Sequence, residues 1–119
     1  MKETGRQQPD RAVLLQGTLD MLVLRALSCS ARHGYDIARW IEESSADALE
    51  VEEGSLYPAL HRMERKGWIS AEWGQSAANR RAKFYKLTRA GRAQLTVEIR
   101  EWELLVRAIS QVLHSPATE

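Results

Sequence analysis

Apolar residues recur at helical spacing in four stretches of the chain and at alternate positions in one. In LLQGTLDMLVLRALS, Leu19, Leu22, Val23, Ala26 and Leu27 form a stripe, and Met21 and Leu24 leave little polar surface beside it. The pattern predicts a helix from about Thr18 to Ser28, buried on more than one side. Thr18 is suited to cap it, and Asp20 in the first turn complements the helix dipole. After a loop punctuated by Gly34, residues Tyr35, Ile37, Ala38, Trp40 and Ile41 mark a second helix ending near Ser44–Ser45. A third is expected from Glu53–Gly54 to Gly67, with Leu56, Leu60 and Met63 on one face. At about 100° per residue, Gly54, Pro58, His61, Arg62 and Arg65 fall opposite, with Ser55 and Tyr57 at the margins. Pro58 lacks a backbone donor and is tolerated only near the first turns.

Beyond Gly67 the period falls to two. Ile69, Ala71 and Trp73 alternate with Ser70, Glu72 and Gly74, which reads as a strand. A returning strand would turn Tyr85 and Leu87 inward, with Lys83 and Lys86 facing out or flanking. The connection from Gln75 to Arg81 is longer than a tight hairpin turn. The final helix follows Thr88, a good cap. Its residues Leu95, Ile99, Trp102, Val106, Ile109 and Leu113 are spaced alternately by four and three, the seam of a coiled coil. A helix over residues 89–114 would be about 39 Å long. The body before it is too small to cover that length, so the seam calls for another chain, and a two-fold homodimer closes it most simply. Leu104, Leu105, Ala108 and Val112 widen the stripe toward the helix's own body.

These elements predict a mainly α fold with a small β-hairpin. Residues 1–13 would be a flexible tail, 14–88 a winged helix-turn-helix, 89–114 the dimerisation helix and 115–119 a second tail. At 119 residues the chain suits one domain. The longest apolar run, Met21–Leu24, is far short of a membrane span, and the polar start suggests no secretory leader. A single cysteine, Cys29, excludes an intrachain disulfide and fits a reducing compartment, so the cytoplasm is expected. No cofactor is expected. Cys29, His33 and Asp36 invite a metal, but Gly34 breaks the helix that would align them, and there is no second cysteine. Neither a phosphate loop nor a nucleophile elbow is present.

Charge sharpens the picture. The chain's formal charge is +1, yet residues 53–92 hold nine Lys or Arg against three Glu. Positive charge gathered on one helix and one hairpin calls for an anionic partner, and double-stranded DNA fits the architecture. In a winged helix the third helix enters the major groove and the wing touches adjacent backbone. Ser55, Tyr57, Pro58, His61 and Arg62 are placed for base edges, with Arg65 in the last turn, where it also suits the helix's own dipole. Arg80, Arg81 and Lys83 are placed for phosphates. Tyr57 is equally readable as core. Glu52 and Glu53 would keep the very first turn off the phosphates. Trp40, Trp68 and Trp73 read as core or wing-root residues, and Trp102 as a seam residue first. The rival reading is a winged-helix module that binds a ligand or protein without touching DNA.

Four segments carry a resemblance: GTLDMLVLRALS, HGYDIARWIEE, EEGSLYPALHRMERKGWI and RRAKFYKLTRAGRAQL. Over about residues 14–113 the chain resembles the PadR family of bacterial transcriptional regulators. Leu56-Tyr57-Pro58, the turn from Glu64 to Gly67, and Tyr85-x-Leu-Thr-x-x-Gly91 occur in order. The resemblance implies a homodimeric winged-helix repressor that grips its operator with helix three and the wing and releases it on binding a small molecule. In short members an aromatic residue of the C-terminal helix lines a ligand cavity at the dimer interface. Trp102, eleven residues after Gly91, matches that place and implies a small aromatic effector.

Overall fold

A computed structural model describes residues 12–13 and 16–117. In chain order the elements are β1 (Ala12–Val13), α1 (Gln16–Ala26), β2 (Arg32–His33), α2 (Gly34–Ser44), β3 (Leu49–Glu50), α3 (Glu53–Arg65), β4 (Ile69–Gln75), β5 (Arg81–Leu87) and α4 (Arg89–Leu113). The fold is mainly helical, with a small antiparallel sheet and one long C-terminal helix. Helices α1, α2 and α3 enclose one core. Leu19, Val23, Leu24 and Leu27 meet Ile37, Ile41, Leu56, Leu60 and Met63 there, and Ile69, Tyr85 and Leu95 close it from the sheet and α4. Each such side chain contributes about 1.5–3 kcal/mol by leaving water.

Local chemistry fixes the element ends. His33 caps α2, its Nδ1 accepting from Asp36 N at 3.3 Å. The α3 helix stops in a paired-carbonyl motif: Gly67 N donates to Glu64 O and Trp68 N to Met63 O, with Gly67 at φ 79°. That left-handed conformation is open to glycine and strained for a branched side chain. Thr88 then joins three elements. Its hydroxyl accepts from Gly91 N at 3.0 Å and stands 2.6 Å from the Gly67 carbonyl and 2.9 Å from the Trp68 carbonyl. Gly91 packs so closely on the Trp68 carbonyl that a side chain there would displace α4 from the wing root.

Several boundaries and pairings differ from those expected. Helix α1 starts at Gln16, so Thr18 lies within the first turn and does not cap it. Glutamine is a good helix former and lets the first turn begin ahead of Gly17, which is itself a poor one. At the other end α1 stops at Ala26, because the Ser28 hydroxyl donates to the Arg25 carbonyl at 2.7 Å and draws the chain into a tight turn. Within the expected N-terminal tail, β1 pairs in parallel with β3. The remainder of that segment, residues 1–11, lies outside the described residues, as do residues 118–119 of the second tail. Finally, the hairpin is two strands of a three-stranded sheet, ordered β2-β5-β4. Strand β2 is two residues long, too short to show alternation.

Candidate nucleic-acid interface

The solvent face of α3 is built around Pro58. Its missing N–H removes the donor for the Gly54 carbonyl one turn earlier. Tyr57, Pro58, His61, Arg62 and Arg65 line a shallow groove of about 410 Å³, and Ser55 lies half-buried to one side of it. Tyr57 is exposed, yet its ring rests on Gly34 at the start of α2. The residue that suited core and surface equally is therefore a surface residue with a braced ring. His61 and Arg65 are exposed.

Arg62 is not free. Its Nη2 donates to Asp20 Oδ1 at 2.7 Å, with the two side chains 23% and 11% exposed. The expected base-reading guanidinium is thus held by a carboxylate of α1. Sequence reasoning assigned Asp20 to the dipole of its own helix and missed this pairing. The signal was present, since a carboxylate flanked by core leucines in a mostly apolar helix needs a cation or a proton.

The wing divides its cations similarly. Strands β4 and β5 pair from Ile69↔Leu87 to Gln75↔Arg81. Residues opposite one another share a face, so Ile69, Ala71, Trp73, Arg81, Lys83, Tyr85 and Leu87 lie together. Toward the core that face buries Ile69, Tyr85 and Leu87. Farther out, Lys83 Nζ stands 3.4 Å from Glu64 Oε1 of α3, so the cation expected on phosphate is paired with a carboxylate of that helix. At the outer end the Arg81 guanidinium lies 4.8 Å from the centre of the Trp73 ring. Trp73 is 59% exposed, which corrects its reading as a core or wing-root residue. Because Arg81 and Lys83 share a face and Lys83 reaches Glu64, the Arg81–Trp73 pair extends the surface of α3 outward. Arg80 projects from the tip, where Asn79 takes φ 60° and Ser76 N donates to Arg80 O at 2.8 Å.

On α4 the seam changes character along its length. Leu95 is buried and Ile99 packs on the core, but Trp102, Val106, Ile109 and Leu113 are exposed in the single chain. Between α1 and α4 runs a groove of about 310 Å³, lined by Thr18, Met21, Glu98, Glu101, Trp102 and Leu105, among others. Glu98 Oε2 accepts from Gln94 Nε2 at 2.9 Å. Its Oε1 is buried with no hydrogen-bond partner among the described residues. Of the trio considered for metal, Cys29 is exposed near Arg25, and His33 Nδ1 is occupied by the α2 cap. No helix is long and apolar enough to cross a membrane among the described residues.

Comparison with known proteins agrees with this architecture. The profile of the transcriptional regulator PadR-like family matches residues 23–97. A transcriptional regulator of Mycobacterium tuberculosis is 40% identical over 72 residues, 59% of this chain and 65% of that protein. A crystal structure of a PadR family transcription regulator from Clostridium difficile superposes with a TM-score of 0.69 at 33% identity, covering 80% of this chain and 97% of the other. A transcriptional regulator from Clostridium thermocellum gives a TM-score of 0.73 at 27% identity, covering 80% and 92%. With the winged helix-turn-helix, the long C-terminal helix and the family profile in agreement, the chain belongs to the PadR-like family of transcriptional regulators.

Proposed function

We propose that two copies of this chain, joined through α4, bind one near-palindromic operator and repress transcription from it. The observation that carries this reading is the uncovered half of the α4 seam. Four large apolar residues in register, from Trp102 to Leu113, lie in water unless a second helix covers them. A two-fold axis through that seam presents two copies of α3 and two wings to one duplex, and half-site centres about 34 Å apart or a multiple follow. Pro58 and His61 with Tyr57 read base edges, Ser55 and Arg65 flank them, and Arg80 and Arg81 hold phosphates. Lys83 supports the wing through Glu64 and contributes charge at shorter range.

The groove between α1 and α4 is the place for a small aromatic effector. Trp102 offers a stacking face, and the unpartnered Glu98 Oε1 offers an acceptor for a donor group on the ligand. Footprinting on the promoter of the chain's own operon, with sedimentation of the protein alone and on DNA, tests the main reading. Two protected half-sites and a dimer are expected. A monomer at micromolar concentration, or no protection in dilute salt, would overturn it. Tryptophan quenching by aromatic compounds that disappears in Trp102→Ala tests the groove.

A further inference from the structure

The Asp20–Arg62 pair joins residues 42 positions apart, from a mostly apolar helix to the recognition helix. Asp20 is the only charged residue that is buried among the described residues. Its neighbours Leu19, Val23 and Leu24 are all core. Replacing such a pair by apolar residues of similar volume commonly leaves a protein as stable or more so. Packing strength alone is therefore a poor reason for it. Its location suggests another. Arg62 lines the same groove as Tyr57, Pro58, His61 and Arg65, so a released guanidinium would be free to reach an anionic partner lying on that face.

We infer that Asp20 is a specificity-determining residue that withholds Arg62 from the DNA backbone. The inference rests on the DNA-binding reading above. A cation free to meet any phosphate strengthens binding to every sequence alike and lowers the ratio of specific to non-specific binding. Holding it against Asp20 keeps its positive charge off the backbone while its carbon stem still shapes the groove beside His61. The longer and more exposed Lys83–Glu64 pair restrains a second cation less completely, midway along the wing. Exposed cations that remain available to the backbone include Arg65, Arg80 and Arg81.

The test is salt dependence on operator and on random duplex for wild type, Asp20→Asn, Arg62→Met and the double variant. Asp20→Asn keeps the shape and discharges the restraint. It should bind random duplex roughly fivefold to tenfold more tightly at 0.1 M salt, and its log K against log salt should steepen by about 0.9 per protomer, the value for one more neutralised phosphate. Arg62→Met should leave the wild-type slope unchanged, and the double variant should return to it. An unchanged slope in Asp20→Asn, or a slope flattened by about 0.9 per protomer in Arg62→Met, overturns the inference. A steepened slope that survives in the double variant also overturns it, because removal of the acid alone would then be the cause. If Asp20→Asn does not fold, the Arg62→Met slope decides. Failure of the wild type to bind any duplex would instead remove the underlying DNA reading.

Discussion

The ring of Tyr57 lies so close over Gly34 that a methyl group there would stand 2.7 Å from the tyrosine hydroxyl. The first residue of α2 thereby sets the angle at which the exposed ring of α3 leaves the surface. Gly34→Ala should turn the ring aside at little cost in stability, because Tyr57 can rotate. Relative affinities among operator variants should shift by roughly tenfold, the size of one perturbed base pair. Competition binding beside a thermal melt checks this, and unaltered preferences would remove Tyr57 from base reading.

Removal of the outer wing cations should act on all sequences alike. Arg80→Ala with Arg81→Ala is expected to weaken operator and random duplex in parallel and flatten the salt slope by about 0.9 for each phosphate left unneutralised. Trp73→Ala should reproduce part of this, about twofold to fivefold, by removing the ring against which Arg81 rests. Filter binding across a salt series measures both. An unchanged slope in the double variant takes the wing off the phosphates.

A charge in the free half of the seam should separate the protomers. Val106→Glu lies beyond the part of α4 that packs on its own body, so the fold should survive with its helical content intact. Sedimentation is expected to show a monomer, and operator affinity should fall at least tenfold. A dimer persisting in this variant would move the interface elsewhere.

Alkaline pH should weaken the fold through Tyr85. Burial pushes its phenol above the ordinary value of 10.0, with Lys83 nearby acting in the opposite direction. The folded chain therefore holds this proton more tightly than the unfolded chain does. Stability from this group is intact below pH 10 and declines as pH rises through the folded value. Urea melts from pH 8 to 11 should show the decline, and Tyr85→Phe should lessen it.

Thr88→Val should cost about 1–2 kcal/mol by removing the cap of α4. That is a fall of roughly 5 °C or more in melting temperature. Thr88→Ser should restore most of it, since the hydroxyl is what reaches Gly91, Gly67 and Trp68. Calorimetry of the pair decides between hydroxyl and methyl as the stabilising group.

Local periodicity made much of the fold legible. Leu56, Leu60 and Met63 gave the buried face of α3, the spacing from Leu95 to Leu113 gave α4, and alternation after Gly67 gave the wing. Relationships between distant segments left weaker traces. Arg62 was placed on the correct face of α3 by angle alone, but an angle cannot announce a carboxylate 42 residues away. Trp73 looked like core because large aromatics usually are; only the strand register sets it near Arg81, past the last buried residue of its face. Arg32–His33 joined the sheet unannounced, because two residues show no period.

One hydroxyl, that of Thr88, clasps the turn closing α3 while it starts α4. Helices α3 and α4 are consequently two limbs of one bracket, and neither can be re-aimed at its root without unlatching the other. An operator whose halves are a base pair too close or too far must be met by flexing of the arm beyond Ile99, where it leaves the body, or by distortion of the DNA. Tolerance for irregular half-site spacing should therefore be tuned by residues far from any base.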